Sequence, residues 1–294
     1  MKKTLTSQVY LHLLVLLLAF TGVLGKLISI GAEPLVWWRM LIALLGLSLY
    51  LLVRGIKFKL PGKTAVKMLL NGIITAAHWL AFFMAIKVSN VSVALICFSA
   101  TTFFMAFLEP IFLKRKLIPY EVLLGLLVIC GLYFIFNVEV EYKLGIALGI
   151  LAAFLACLFS VINARFIKNY DAVVITTYEM LGGVVALSVY LFVSGELNMG
   201  MMTLSTPDLS YLLILGLVCT SFAFVMMVEL MKVLTPFSIA ISLNLEPIYA
   251  ILLALSIFGQ SEYMKPGFYL GSLVIVTCIL LNGYLKNKYN PSIK

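Results

Sequence analysis

Ten apolar runs, each close to the length that crosses a bilayer as a helix, fill almost the whole chain and leave only short connections between them. About 20 residues rising 1.5 Å each span the ~30 Å hydrocarbon layer, so apolar runs of that length bounded by charge, Pro or Gly are read as spanning helices. They are predicted near 9–29, 35–54, 66–86, 92–113, 120–137, 144–166, 172–193, 210–231, 238–258 and 267–285. With 63% hydrophobic and 11% charged residues among 294, the chain has more apolar surface than one soluble core can hide. The run after Met1-Lys2-Lys3 is too long for the apolar region of a secretory signal, and it is read as the first span.

Charge gives the orientation. Lys2, Lys3, Arg54, Lys57, Lys59, Lys63, Lys67, Lys114, Arg115, Lys116, Arg165, Lys168, Lys232, Lys286, Lys288 and Lys294 all fall on one set of alternate connections. The other set keeps Lys87, Lys143 and Lys265 beside the acids Glu33, Glu139, Glu141, Glu196, Asp208 and Glu262. The positive-inside rule then puts both termini in the cytoplasm of a multi-pass cell (inner) membrane protein. The net charge of +9 reports topology and contact with anionic lipid rather than nucleic-acid binding, for which no motif is present. The five cysteines stand singly in apolar spans without metal-ligand spacing, so they read as small hydrophobes; no metal or cofactor is expected.

The halves resemble each other. RMLIALLGLSLYLLVRG at 39–55 aligns without gaps on EMLGGVVALSVYLFVSG at 179–195, about half the positions being identical. A second register matches Ser92-Val93-Ala94 with Ser238-Ile239-Ala240 and Gly125 with Gly271. The fold class expected is an all-α integral membrane protein of ten transmembrane helices in two five-helix repeats, 1–138 and 139–294. Five is odd, so the second repeat is inverted, an architecture in which pseudo-symmetric halves rock about a site near the midplane. The small-residue pairs Gly145/Gly149 and Gly267/Gly271 are read as close-packing positions.

Over its whole length the chain resembles the drug/metabolite transporter superfamily in its EamA-type ten-helix branch. That pattern places in each half a helix with a mid-span Pro, a short charged turn and a Gly-containing final helix. The second half supplies Ser238 to Pro247, Gly259-Gln260-Ser261-Glu262 and Gly271. The first half departs: Thr101 stands where Pro247 has its partner, and Lys116 where Glu262 has its own. The resemblance implies export or exchange of small metabolites.

Charges and polar groups inside spans are the candidate site residues, because each costs a few kcal/mol in hydrocarbon unless paired, wetted or used. Glu246 lies partway along the ninth span beside Pro247, whose missing N–H and bulky ring are expected to kink the helix and expose carbonyls. With Asn244 they form a polar patch for an ammonium group or a proton; the bland alternative is an interhelical ion pair. His78 and Trp79 lie near the membrane centre with Phe82 and Phe83, a titratable ring beside an aromatic surface suited to an amphipathic ligand. A lone intramembrane His is also commonly just bonded to a neighbouring helix. Thr101 and Tyr178 supply hydroxyls that reach solute or satisfy their own backbone.

Arg39 and its repeat mate Glu179 carry opposite charge, so inversion suggests a cation towards the outside and an acid towards the cytoplasm, acting as gates or as structural ion pairs. Lys26 is grouped with them as a gating or coupling candidate, snorkelling to the interface being the plainer reading. Glu109 and Glu229 are expected to pair locally with the basic cluster at 114–116 and with Lys232.

The function expected is a secondary transporter that exports a small organic metabolite, an amino acid or related compound above others, by alternating access. Exchange of phosphorylated or nucleotide-type metabolites is the alternative substrate reading. A passive channel and an intramembrane lipid-modifying enzyme are alternatives of other classes. The chain is read as no enzyme, because HExxH, GxSxG, paired aspartates and clustered Cys are all lacking. Expected partners are a small-molecule substrate and membrane lipids, with a homodimer left open and no nucleic acid.

Overall fold

The computed structural model describes residues 2–138, 140–197, 199–243 and 245–289, and every regular element among them is helical. The first half holds α1 (Lys2–Leu27), α2 (Ala32–Arg54), α3 (Gly62–Val88), α4 (Val91–Phe98), α5 (Thr101–Leu113) and α6 (Pro119–Val138). After a 3-10 turn at Val140–Tyr142 come α7 (Lys143–Phe166), α8 (Ala172–Val193), the single turn α9 (Met199–Met202) and α10 (Thr206–Leu213). A π-helical segment, Ile214–Phe222, joins α10 to α11 (Ala223–Leu230). Then follow α12 (Pro236–Leu243), α13 (Glu246–Phe258), a 3-10 turn at Gly259–Glu262, and α14 (Pro266–Tyr289).

Among the described residues, seven helical stretches are long and apolar enough to cross a membrane, and Pro119–Ile135 and Pro266–Cys278 are shorter apolar helices. The outward faces are apolar as well. Leu49 is 63% exposed and its repeat mate Val189 58%, while Tyr50 and Tyr190 are each 47% exposed. Leu52, Val53, Phe192 and Val193 continue the same strip. Water would penalise such a face, whereas lipid tails accept it.

Two of the expected single spans are each two helices. The α4 to α5 boundary is a turn at Ser99-Ala100, where the backbone ladder tightens to Ser99 N–H onto Ile96 (3.1 Å) and Ala100 N–H onto Cys97 (3.1 Å). The register that pairs Ser92 with Ser238 carries this turn onto the α12 to α13 boundary. The expected Pro kink thus falls at the boundary between two helices, α12 and α13. Pro247 falls in the first turn of α13, where a missing N–H costs little because first-turn donors have no intrahelical partner.

The halves pack by a reciprocal pattern. α2 packs on α8 and α6 on α14, each helix on its own repeat counterpart. Contact of α3 with α8 is matched by α2 with the π segment, and α3 with α7 by α1 with the π segment and α11. Likewise α4 and α5 lie on α7 as α13 and α12 lie on α1.

Glycine makes the central crossing close. A Cβ on Gly72 of α3 would collide with the backbone carbonyl of Glu179 on α8, and one on Gly182 of α8 with the carbonyl of Leu69 on α3. At the second crossing a Cβ on Gly131 would stand 3.2 Å from the Gly271 carbonyl and one on Gly271 3.1 Å from that of Gly131. Without water to drive apolar association, such backbone proximity is what holds helices together in lipid. Gly72→Ala is expected to lower stability in detergent by about 1–3 kcal/mol. Gly62→Ala, which meets open space at the start of α3, should stay within about 0.5 kcal/mol of the parent or above it. Equal midpoints for both variants in thermal unfolding would refute the tight crossing.

Candidate functional site

Both helix breaks open onto one cavity of about 770 Å³, its open mouth included, which α1, α2, α3, α5, α7, α11, α12 and α13 help to line. Its walls are mostly aromatic: Trp79, Phe82, Phe98, Phe159 and Phe224. Arg39, His78, Thr101 and Glu246 bring polar chemistry to it. Four of the sequence candidates, together with Trp79, are thus assembled in one place.

Arg39 is 1% exposed, and its surroundings explain how a guanidinium is tolerated there. Its Cζ lies 4.0 Å from the ring centroid of Trp79 and 5.4 Å from that of Phe83, a double cation–π contact. Its Nε donates to Thr220 Oγ1 at 2.6 Å, and Nη2 reaches the Cys219 carbonyl at 3.5 Å. Thr220 is available because the segment is π-helical: its hydroxyl donates five residues back to the Leu215 carbonyl at 2.7 Å, leaving lone-pair capacity for Arg39. Nη1 is buried with no hydrogen-bond partner among the described residues. Arg39 is therefore a buried basic residue in the cavity wall.

Glu246 is 5% exposed and begins α13, where the positive end of the helix dipole favours a carboxylate. It interacts electrostatically with Arg39, yet the two form no ion pair among the described residues. Pro247 is buried next to it but does not line the cavity, and Asn244 lies outside the described residues. Because Pro247 has no N–H, the Leu243 carbonyl loses its donor on the next turn, and Leu243 lines the cavity.

His78 has one nitrogen committed. A carbonyl only accepts, so Nδ1, 2.8 Å from the Ala152 oxygen, is the donor, and Nε2 is the nitrogen left over. The ring lies among Phe82, Phe98 and Phe159, with centroids 5.4–6.4 Å away.

Three candidates are elsewhere. Tyr178 stacks on Phe58, centroids 4.4 Å apart, and donates to the Phe58 carbonyl at 3.0 Å, outside the cavity. Glu179 does not mirror Arg39 in the lining. It is enclosed between α8, α3 and α7, accepting from Asn71 Nδ2 at 2.5 Å and Asn163 Nδ2 at 3.3 Å. Lys26 does not snorkel freely, because it donates to Ser261 and Glu262 at 2.8 Å each. The local pairs at Glu109 and Glu229 do form, with Arg115 at 2.9 Å and Lys232 at 2.6 Å.

Sequence reading overlooked Thr220, Asn71 and Asn163. All three are polar residues in the middle of apolar runs, the signal that singled out Glu246. Cys157 and Cys219, read as plain hydrophobes, also line the cavity.

Comparison with known proteins gives a repeated match. The sequence model of the EamA-like transporter family matches residues 6–137 and again 143–284. No curated protein matches. Solved structures do, 26 chains in all. One, described only as "Crystal structure of protein", superposes with a TM-score of 0.71 at 15% identity, over 95% of this chain and 98% of that one. At that identity the likeness concerns the fold alone.

Tyr178→Phe removes one hydrogen bond outside the cavity, so it should cost about 1 kcal/mol of stability. Reaction of Cys219 with small polar thiol reagents should be unaffected. A change in Cys219 labelling, read by mass spectrometry, would bring Tyr178 into the site.

Proposed function

The chain belongs to the EamA-like transporter family, and from that premise we propose that it carries a small zwitterionic metabolite, an amino acid or close relative, out of the cell by alternating access. A multi-pass membrane transporter of small molecules is what the family itself supports. The finer reading adds ten spans, two inverted repeats at 1–138 and 139–294, cytoplasmic termini and residence in the cell (inner) membrane. Reciprocal packing of the two halves supports the repeat, and the alternation of basic connections supports the orientation.

One observation carries the substrate reading: Arg39 and Glu246 face a single aromatic cavity without an ion pair between them among the described residues. A buried guanidinium whose Nη1 has no partner among the described residues offers a charge-assisted hydrogen bond to a carboxylate. A carboxylate at a helix break offers the complement to an ammonium group. Between them, Trp79, Phe159 and Phe224 give an apolar side chain somewhere to go. His78 Nε2 and Thr101 are placed to add orientation rather than charge. A phosphorylated or nucleotide solute needs several convergent cations, and Arg39 is the one Arg or Lys among the described lining residues, which weighs against the exchanger reading. Arg115 and Lys232 lie outside this cavity. The same lining holds no nucleophile paired with a base, which favours carriage over catalysis.

Glu179, held by two amides in the interhelical core, is the residue we assign to coupling in this scheme.

The test is counterflow in proteoliposomes, with solutes first chosen by thermal shift from amino acids, sugar phosphates, nucleobases and organic cations. Labelled amino acid should enter faster when unlabelled solute fills the lumen. Arg39→Gln and Glu246→Gln should each slow that exchange about 10- to 100-fold at normal membrane abundance, the loss expected for one charge-assisted hydrogen bond. Uptake that ignores the lumenal solute points to a pore, a chemically altered product to an enzyme. Undiminished exchange in both variants would remove the charged pair from the site.

A further inference from the structure

Two carboxylates, one from each half, hold the starts of the two broken helices. Glu262, in the turn after α13, accepts from the backbone N–H of Val91 (3.2 Å) and Ser92 (2.9 Å) and from Ser92 Oγ (2.7 Å) at the start of α4. Lys26, last but one in α1, donates to the same carboxylate at 2.8 Å and sits 4.4 Å over the Phe258 ring.

The far end of the bundle repeats the arrangement. Glu109 of α5 accepts from the backbone N–H of Phe237 at 2.6 Å, at the start of α12. Arg115 ties Glu109 (2.9 Å) to Glu121 (2.8 Å). Arg165, last but one in α7, donates to the Phe112 carbonyl and lies 5.4 Å from the Phe112 ring. The register that pairs Ser92 with Ser238 also pairs Val91 with Phe237 and Phe112 with Phe258. These are equivalent places in the two halves, and along the α4–α5 rod Ser92 and Glu109 are roughly 25 Å apart at helical rise.

We infer that these are the two gates of the carrier: an outer latch formed by Lys26, Glu262 and the start of α4, and an inner latch formed by Arg115, Glu109 and the start of α12. The assignment rests on the alternating-access reading above and uses its orientation. Each latch joins groups from both halves, so parting the halves at that end must break it. Breaking it uncovers the unpaired N–H groups of a helix start, which then need water. Water is at hand, for the Lys26 and Arg115 side chains are 26% and 23% exposed. Arg39, 1% exposed and stacked on Trp79, has no such exchange available, so it binds rather than gates.

Cys219, 2% exposed in the cavity lining, reports which end is open. A membrane-impermeant thiol reagent is applied to right-side-out and to inside-out vesicles, and modification of Cys219 is read by mass spectrometry. Glu262→Gln should raise labelling from the outer face about tenfold, as expected for losing hydrogen bonds to a charged group. Lys26→Met, which removes only a partly exposed head group, should raise it from the same face. Glu109→Gln should raise labelling from the inner face instead. Equal gains on both faces, or none in any variant, overturn the assignment. Labelling requires no transported solute, so the latches can fail while counterflow stands, and counterflow can fail while the latches stand.

Discussion

A helix that loses its backbone ladder inside a bilayer has no water with which to mend it, and the rest of this structure follows from where that loss is allowed. Backbone groups unsatisfied in hydrocarbon cost several kcal/mol each, so irregular segments survive only where they face protein or a cavity. Both breaks here, at Ser99-Ala100 and at the start of α13, meet that condition by opening onto the aromatic chamber. The first is closed by tightened turns. The second uses Pro247, which lacks the N–H that would otherwise need a partner. The two boundaries also bring half-helix termini to the chamber, where Glu246 occupies a favourable helix start.

The repeat conserves backbone and diversifies side chains. Close crossings join the two halves, Gly72 with Gly182 at one and Gly131 with Gly271 at another, where an added Cβ would crowd backbone carbonyls of the facing helix. At Arg39 and Glu179 the repeat keeps the place and changes the chemistry. Arg39 is held by Thr220 from the π segment and looks into the chamber, while Glu179 is held by Asn71 and Asn163 away from it. An extra residue per turn in the π segment is what turns Thr220 and Ser221 onto carbonyls five residues back, at 2.7 and 2.9 Å. Nothing comparable interrupts α3, so the two helices that face Arg39 and Glu179 offer unlike surfaces.

Apolar periodicity, charge alternation and duplication made the helical membrane architecture and the family legible, since these are properties of whole segments. The intramembrane charges were legible too: Arg39, His78, Trp79, Thr101 and Glu246 were singled out by the cost of placing polar or aromatic groups at depth, and they meet in one cavity. Tyr178 carried the same signal but lies outside the cavity, where its hydroxyl donates to the Phe58 carbonyl. The partner of Lys26, Glu262, was not legible because it is far away in sequence.

The π segment was invisible for a different reason. Hydropathy counts apolar residues and is blind to whether a ladder runs four or five residues back, yet that one register change creates the acceptor that holds Arg39. Placement of a single buried cation thus depends on a helix in the other half, and neither half alone contains the site. The two matched halves stop being alike at the charge reversal between positions 39 and 179, at Pro247 where the first half has Thr101, and at the π turn of one helix.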